Sequence, residues 1–368
     1  MDHVTEQHPT VKCLVWDLDN TLWRGTLLEG DEVEIPPAIR DVVVELDSRG
    51  ILQSVASRND HTHAWERLEK LGLAEYFVLP RIGWGPKSAS VRAVAEELNF
   101  ALSAVAFIDD QPTERAEVEF HLPDVRCYPA EDALSLPTRP EFSPAVVTHD
   151  ARRRREMYQA GFRREAERSE HSGTDEEFLR SLSLELRVER AGDEEISRVE
   201  ELTLRTSQMN ATGVHYSDQD LRSLIADERH EVLVASLTDR FGPHGAIGVI
   251  LLERRPDAHH IKLLATSCRV VSFGVGAALL RWLTDEAARA GTALTAAFRR
   301  TERNRMMEVA YRFAGFEDAP GRPDPAEDGV QTLLLKPSRQ SAPPHLKVVA
   351  PRLFSPGREL LEWGAADG

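Results

Sequence analysis

The sequence contains little cysteine and no long apolar run. Its cysteines are Cys13, Cys127 and Cys268, and none of them forms a C-x-x-C pair. An odd number of cysteines, so few in a chain of this length, is typical of reduced thiols in a cytosolic protein. The longest apolar runs, such as residues 246–252, are too short to span a bilayer, and residues 1–10 lack the basic and apolar regions of a signal peptide. We therefore expect a cytoplasmic protein that has no membrane partner.

Basic side chains are scarce relative to acidic ones. The 368 residues include 45 Lys and Arg against 61 Asp and Glu, which gives a formal net charge of −16. Because a duplex nucleic acid needs a basic face to neutralise its phosphates, this balance argues against a nucleic-acid partner. A small anionic substrate remains compatible with it, since a pocket can be locally positive.

Strand-like and helix-like segments alternate over residues 1–140. Apolar runs at 12–19, 51–57 and 104–110 are separated by helical patterns. This alternation predicts βαβ units and a doubly wound parallel sheet, so the fold class is α/β.

The rest of the chain has a different pattern. Residues 141–173 are rich in both charges and predict a solvated linker helix, with an arginine platform for an acidic partner as the alternative. Residues 174–336 combine antiparallel strand patterns with one long helix, which predicts a separate α+β domain. The proline-rich residues 337–368 are expected to form an irregular tail.

Polar side chains stand where the first three strands end, and Lys87 begins a helix between the second and the third. The strand-end residues are Asp17, Asp19, Thr21, Ser57, Arg58, Asn59, Asp109 and Asp110. Ligands of a doubly wound sheet bind beyond the carboxyl ends of its strands, so we expect one common site. Asp17, Asp19 and Asp109 are an oxygen set suited to Mg²⁺. Lys87 and the residues that follow the second strand are the candidate phosphate ligands, which together predict phosphoryl transfer.

The order of these residues resembles the haloacid dehalogenase (HAD) superfamily. The resemblance implies that Asp17 attacks phosphorus and that Asp19 is the general acid and base. It also implies that Asp17, Asp109 and the Asp19 carbonyl hold Mg²⁺ with support from Asp110, and that the phosphate is held by Thr21, Ser57 and Lys87. The intervals between Asp19, Ser57 and Lys87 leave no room for an inserted cap domain, so we expect a capless, open site unless the second domain covers it.

Cys268 is the candidate nucleophile of a second site. Cys13 and Cys127 lie in apolar segments and are expected to be buried and inert. Cys268 ends a strand and precedes Arg269 and a glycine-led helix, conditions that favour the thiolate. His244, in the segment RFGPHG, is the candidate general base. The alternative is a packed cysteine and a turn histidine without a catalytic role.

Residues 269–280 loosely resemble the pyrophosphate loop of GNAT-type acyltransferases, although the spacing from Arg269 to Gly274 is one residue longer than usual. The resemblance implies that Arg269, Gly274 and Gly276 bind a phosphopantetheine carrier. Residues 300–318, which include Asn304, resemble the last helix and turn of that fold, with an amphipathic core helix as the alternative. Asn210 and Thr266 are further candidates for substrate binding.

Taken together, the segments VWDLDNTLW, SVASRNDH, FIDDQPTERAEV, TSQMNATGVHYS and ATSCRV resemble the FkbH-like family of polyketide pathways. The resemblance covers residues 12–320 and implies a glyceryl transferase and phosphatase with Mg²⁺ as its cofactor. Such an enzyme captures the glyceryl group of 1,3-bisphosphoglycerate as a thioester, here on Cys268, and removes the remaining phosphate. It then passes glyceryl to the phosphopantetheine thiol of an acyl carrier protein.

Two other functions stay open. One is a HAD phosphatase for a free small phosphorylated metabolite, fused to a CoA-dependent N-acyltransferase. The other is a non-catalytic adaptor for a carrier protein. Because carrier proteins are acidic, we also expect a local basic patch that includes Arg269 and the arginines after Asp150.

Overall fold

The computed structural model describes residues 10–144, 146–192, 195–205, 209–302, 304–319, 329–353 and 360–364. The chain divides into two units, Met1–Gln159 and Ala160–Gly368, and each unit has its own sheet. No helix of the described segments is long and apolar enough to cross a membrane.

A parallel sheet forms the centre of the first unit. Within the described residues it has five strands, in the order β3-β2-β1-β4-β5. The strands are β1 (Cys13–Trp16), β2 (Leu52–Ser57), β3 (Arg81–Ile82), β4 (Val105–Asp109) and β5 (Arg126–Pro129). Every residue of β1, β2 and β4 is buried, as is typical of strands covered on both faces. The predicted α/β class is confirmed, although the short strands β3 and β5 were not predicted.

Helices connect these strands without an inserted domain. They are α1 (Pro37–Ser48), α2 (His61–Lys70), α3 (Lys87–Leu98), α4 (Pro112–His121) and α5 (His149–Arg152). Between β1 and β2 the chain forms only α1 and one short 3-10 turn, and all residues of that interval are described. The interval between β2 and α3 contains α2, a second 3-10 turn and β3. The predicted absence of a cap domain is therefore confirmed.

A mixed sheet forms the second unit. Its strands within the described residues are β6 (Leu184–Arg190), β7 (His230–Asp239), β8 (Gly242–Arg254), β9 (Ala258–Thr266), β10 (Ala293–Phe298), β11 (Glu317–Asp318), β12 (Gln331–Leu335), β13 (Leu346–Pro351) and β14 (Leu360–Glu362). Their order is β11-β12-β10-β9-β8-β7-β6-β13-β14. The pairs β9/β10 and β6/β13 are parallel, and the other pairs are antiparallel. This sheet confirms the predicted α+β domain.

One long helix packs on this sheet and supplies much of the core. The helices of this part of the chain are α6 (Arg154–Glu170), which contains the division between the units, α7 (Asp175–Ser181), α8 (Ile196–Arg205), α9 (Asp218–Ala226), α10 (Val275–Ala290) and α11 (Arg305–Phe313). Helix α10 begins after Gly274 and ends before Gly291, both with positive φ. Glycine adopts that conformation at no steric cost, which explains both ends of the helix.

The tail beyond residue 336 is partly ordered, contrary to the prediction of an irregular segment. Strand β13 pairs with β6, and β14 pairs with β13. The carboxylate of Asp285, fully buried on α10, accepts hydrogen bonds from Arg339 Nε at 2.7 Å and from the Gln340 N–H at 2.9 Å. Trp363 Nε1 donates a further bond to it at 3.0 Å. The sequence offered no sign of this order because the partner of the tail lies about 50 to 80 residues earlier in the chain.

Replacing Asp285 with alanine should destabilise the second unit by about 3 kcal/mol. The change would leave the Arg339 guanidinium and the Trp363 N–H without their acceptor. The measurement is the free energy of unfolding of that unit in urea. Glu176→Ala is the matched control, because the Glu176–Arg180 pair is exposed and should contribute about 0.5 kcal/mol or less. A loss below about 1 kcal/mol for Asp285→Ala would contradict this account of the tail.

Candidate active sites

The first candidate site lies at the carboxyl ends of β1 and β4. These strands are parallel neighbours, with Trp16 opposite Ile108. The next residue, Asp17, donates its N–H to the Ile108 carbonyl at 2.9 Å. This register places Asp17 beside Asp109, as the sequence predicted, and both carboxylates are buried.

Lys87 links the two carboxylates. It is the first residue of α3 and is only 2% exposed. Its ammonium donates to Asp17 Oδ1 at 2.5 Å and to Asp109 Oδ2 at 2.9 Å. The same ammonium lies 3.0 Å from Glu114, which also pairs with Arg58 at 3.0 Å. Glu114 was not predicted as a site residue, because nothing in the sequence separates it from the other acids of α4.

Asp110 belongs to the carboxylate cluster itself. One oxygen from each of Asp17, Asp109 and Asp110 lies within 4.8 Å of the others. Oδ1 of Asp110 is buried and accepts no hydrogen bond from a described residue. Thr21 Oγ1 accepts the N–H of Asp110 at 3.0 Å, which fixes the backbone there. Asp110 was predicted as a supporting residue, and the structure places it among the candidate ligands.

The charges of the cluster fit a divalent cation. Among the described residues, Lys87 and Arg58 are the cations that pair with Asp17, Asp109 and Glu114, and Asp110 makes no ion pair. The four carboxylates therefore exceed the two cations by two charges. Burial raises the pKa of Asp17 to about 7 despite the opposing effect of Lys87. Burial also raises the pKa of Asp109 and of Asp110. A hard cation with oxygen ligands would relieve this cost.

Asp19 is held in place by three donors. Its Oδ1 accepts hydrogen bonds from Trp23 Nε1 at 2.7 Å and from the Leu27 N–H at 3.1 Å. Its Oδ2 accepts a bond from Asn59 Nδ2 at 3.1 Å. The Asp19 carboxylate is therefore engaged outside the Asp17, Asp109 and Asp110 cluster. The metal role predicted for Asp19 concerns its main-chain carbonyl and stays a prediction.

The predicted phosphate ligands differ in how free their side chains are. Ser57 ends β2 and is a buried residue, and its hydroxyl makes no hydrogen bond with a described residue, so it can donate to a ligand. Arg58 and Asn59 are already bonded to Glu114 and Asp19, respectively. In this structure those two side chains hold Glu114 and Asp19 in position. Their direct contact with phosphate stays a prediction.

The second candidate site is built around a histidine and aspartate pair at the turn from β7 to β8. Asp239 is the last residue of β7, and its side chain is fully buried. His244 Nε2 lies 3.0 Å from Asp239 Oδ2, and Arg164 Nε donates to the same oxygen at 2.5 Å. Burial alone would raise the pKa of Asp239. The hydrogen bonds from His244 and Arg164 outweigh it and hold that pKa well below its usual range.

His244 has the properties of a general base. Burial lowers its pKa in spite of Asp239, so the imidazole is neutral near pH 7. Because Nε2 faces Asp239, the other ring nitrogen, Nδ1, is the one available to take a proton. Asp239 and Arg164 were not predicted as site residues, because a strand-end acid and a helical arginine carry no motif of their own.

Cys268 belongs to a turn that contacts His244 through its last residue, Phe273. It begins the 3-10 turn Cys268–Phe273, and the ring of Phe273 lies edge-on to the His244 imidazole at 5.2 Å. The preceding residue, Ser267, donates its N–H to the Ile247 carbonyl of β8 at 2.7 Å. The thiol is exposed and makes no hydrogen bond with His244 or with any other described residue. The structure therefore brings His244 against the turn that carries Cys268, with the thiol open to solvent.

Cys268 should react with an alkylating reagent faster than the other two cysteines. Cys13 is fully buried, and burial raises the pKa of its thiol and that of Cys127, the latter to about 12. We expect iodoacetamide at pH 7.5 to modify the native protein once, at Cys268, as measured by intact mass and peptide mapping. Three modifications after denaturation are the control. Modification of Cys13 in the native protein would contradict the structure.

Two of the predicted binding residues, Asn210 and Asn304, have side chains that bind the protein's own backbone. Asn304 is fully buried, and its Nδ2 donates to the carbonyls of Asn210 and Arg299 at 3.0 and 2.9 Å. Asn210 Oδ1 accepts the N–H groups of Thr212 and Gly213. Both side-chain amides are thus hydrogen-bonded to backbone groups and hold the loops in place.

The other predicted binding residues lie around the start of α10 or before it. Thr266 is buried, Arg269 is exposed, Gly274 precedes α10 and Gly276 lies inside it. The binding roles of these residues stay predictions.

No protein-family model and no curated protein sequence matches this chain. Among solved structures, it is similar to the N-terminal part of a Bacteroides fragilis protein that contains a phosphatase domain, in complex with Mg. The identity is 28%, the TM-score is 0.35, and the match covers 38% of this chain and 43% of that one. This chain therefore spans less than half of that structure's length.

Other similar structures are N-acetyltransferases. The ribosomal-protein-S18-alanine N-acetyltransferase of Escherichia coli is 17% identical with a TM-score of 0.31, and the match covers 40% of this chain and 90% of that one. The PaiA N-acetyltransferase of Thermoplasma acidophilum, in complex with coenzyme A, is 14% identical with a TM-score of 0.33 over 41% of this chain and 98% of that one.

Proposed function

We propose that this chain is a glyceryl transferase and phosphatase of the FkbH-like type. It takes 1,3-bisphosphoglycerate, holds the acyl group as a thioester, removes the remaining phosphate and loads glyceryl onto an acyl carrier protein. The observation that carries the proposal is the presence of two different constellations in one chain. One is a carboxylate cluster with a buried lysine, and the other is a His–Asp pair in contact with the turn that carries an exposed thiol.

Acyl capture uses the second constellation. The sulfur of Cys268 attacks the carbonyl carbon of the acyl phosphate, the carbon–oxygen bond breaks, and inorganic phosphate leaves. His244 takes the thiol proton at Nδ1 and gives it to the departing phosphate. Asp239, bonded to Nε2 at 3.0 Å, orients the imidazole and stabilises its charged form. An acyl phosphate is already activated, so neither ATP nor coenzyme A is required.

Phosphate removal uses the first constellation. Asp17 attacks the phosphorus of the remaining phosphomonoester, and Asp19 gives a proton to the departing hydroxyl oxygen. Asp19 then takes a proton from the water that hydrolyses the aspartyl phosphate. The Ser57 hydroxyl and the Lys87 ammonium donate hydrogen bonds to the phosphoryl oxygens as charge develops there.

Mg²⁺ is the cofactor proposed for this step. Asp17, Asp109 and Asp110 would hold it with the Asp19 carbonyl, and the excess negative charge of the cluster supports that choice. When bound, the ion would neutralise charge on the phosphate and lower the pKa of Asp17. The open, capless site suits a substrate that is tethered to a protein, because no inserted domain of the first unit covers it.

The carrier protein is the proposed final acceptor. Its phosphopantetheine thiol attacks the thioester carbon, His244 removes the thiol proton, and the proton returns to the Cys268 sulfur as the carbon–sulfur bond breaks. Some arginines expected to receive an acidic carrier are engaged elsewhere, since Arg155 pairs with Asp47 and Arg164 with Asp239. Arg269 is exposed, and its part in docking stays a proposal.

Mass spectrometry of a candidate carrier protein tests the proposal. The full-length enzyme is incubated with Mg²⁺, a bisphosphoglycerate-generating system and the carrier in its phosphopantetheine form. We expect the carrier to gain one glyceryl group that carries no phosphate. The control is the same carrier without phosphopantetheine. An unchanged carrier together with acylation that requires acyl-CoA would favour a phosphatase fused to an N-acyltransferase.

A further inference from the structure

A basic pocket lies in the second unit, outside both constellations. It has a volume of about 220 Å³. The polar and charged side chains that line it are those of Thr212, Tyr216, Arg255, His260, Lys262 and Arg299. No carboxylate lines it among the described residues, although the whole chain has a formal net charge of −16. The pocket is therefore locally positive in an acidic protein.

The pairing of β9 with β10 builds one wall of the pocket. His260 stands opposite Thr295 in this parallel pair, and its Nδ1 lies 2.9 Å from Thr295 Oγ1. Lys262 follows two residues later, at an irregularity in the pairing of β8 with β9, and lines the same pocket as His260. Burial, and then the nearby Arg255, lowers the pKa of His260 to about 4, so the imidazole is neutral at physiological pH.

Arg299 and the loop after Asn210 form the opposite wall. The Arg299 N–H donates to the Ala211 carbonyl at 3.0 Å, and its Nε donates to the Thr212 carbonyl at 2.8 Å. These two bonds fix the position of the guanidinium against the backbone of this loop. Arg299 forms no ion pair with a carboxylate of the described residues.

Most of the positive charge in the pocket is not neutralised by the protein. Arg255 pairs with Glu253 at 2.9 Å. The ammonium of Lys262, which is only partly exposed, makes no hydrogen bond or ion pair with a described residue. Lys262 and Arg299, each partly exposed, line the same small pocket, so a bound anion would pair with both charges. The lining therefore fits an anionic ligand with several acceptor oxygens.

We propose that this pocket binds the phosphate group of a small phosphomonoester. A phosphate offers acceptor oxygens to both Lys262 and Arg299, and arginine and lysine are the residues that recognise it most often. Pockets for drug-sized ligands measure about 300–1,000 Å³, so this smaller volume suits a metabolite of a few carbons. The pocket would hold such a ligand even if the chain did not transfer glyceryl groups, because its lining includes neither Cys268 nor Asp17.

Calorimetric titration of the full-length protein with 3-phosphoglycerate, in a buffer with EDTA, tests this site. We expect binding to the wild type and at least about a tenfold rise in Kd for Lys262→Gln, or about 1.4 kcal/mol. Lys262→Glu should abolish the binding. Lys336→Gln is the matched control, because Lys336 is an exposed lysine of the same unit outside the pocket. Glycerate, which lacks the phosphate, should bind at least tenfold more weakly than 3-phosphoglycerate.

Three results would overturn the proposal: no binding to the wild type, equal Kd values for the wild type and Lys262→Gln, or equal binding of glycerate. Lys262 makes no hydrogen bond or ion pair with a described residue, so a nearly unchanged melting temperature is expected for the variant. The Cys268 adduct is measured separately by mass. Failure of this site and failure of glyceryl transfer can therefore be told apart.

Discussion

Substitution of Asp17 by asparagine is expected to lower the Mg²⁺-dependent hydrolysis of p-nitrophenyl phosphate by at least about a thousandfold. The amide is not a nucleophile, and its neutral oxygen accepts a weaker hydrogen bond from the Lys87 ammonium than the carboxylate does at 2.5 Å. The rate of nitrophenolate release measures the loss. Removal of Mg²⁺ with EDTA should abolish hydrolysis by the wild-type protein as well.

Asp124→Asn is the matched control for this substitution. Asp124 is an exposed carboxylate of the same unit, with no hydrogen bond or ion pair to a described residue. Its replacement should leave hydrolysis unchanged. Asp17→Asn should also leave acyl capture on Cys268 intact, which would separate the two activities. Hydrolysis by Asp17→Asn at a tenth or more of the wild-type rate would exclude Asp17 as the nucleophile.

The first site was predictable from the sequence because its geometry follows from strand order. Parallel strands end at one edge of a sheet, so Asp17 and Asp109 had to lie close together once β1 and β4 were recognised as strands. Glu114 was not predictable in the same way. It lies in α4 among other acids, and only the packing of α3 near α4 brings it to Lys87 at 3.0 Å.

The second site was less predictable from the sequence than the first. Cys268 and His244 were predicted from their neighbours in the sequence, but the pairing of Asp239 with His244 depends on the turn that joins β7 to β8. Asn304, by contrast, was predicted to bind substrate and is found fully buried against backbone carbonyls. A polar residue near a site gives no sign in the sequence of which backbone groups it will satisfy.

Replacement of Cys268 by alanine is expected to abolish the covalent adduct that forms when the protein is incubated with 1,3-bisphosphoglycerate. The wild-type protein should gain one acyl group in its intact mass, and neutral hydroxylamine should remove it, as expected of a thioester. Cys268 is the exposed thiol of the three, whereas Cys13 is fully buried. Cys127→Ala is the matched control and should still form the adduct. An adduct on Cys268→Ala would mean that the nucleophile lies elsewhere.

Variants of His244 and Asp239 test the same mechanism through the rate at which the adduct forms. His244→Ala should slow adduct formation by about a hundredfold to ten-thousandfold, since the thiol then has no positioned base. Asp239→Asn should also slow it while leaving Cys268 open to iodoacetamide, because Asp239 acts through the Nε2 of His244 at 3.0 Å and does not contact the thiol. Raising the pH should recover part of the rate of His244→Ala, because hydroxide then removes the thiol proton in place of the imidazole. A packed cysteine beside a structural histidine would show neither the slowing nor the recovery, so the pH profile of the adduct rate distinguishes catalysis from packing.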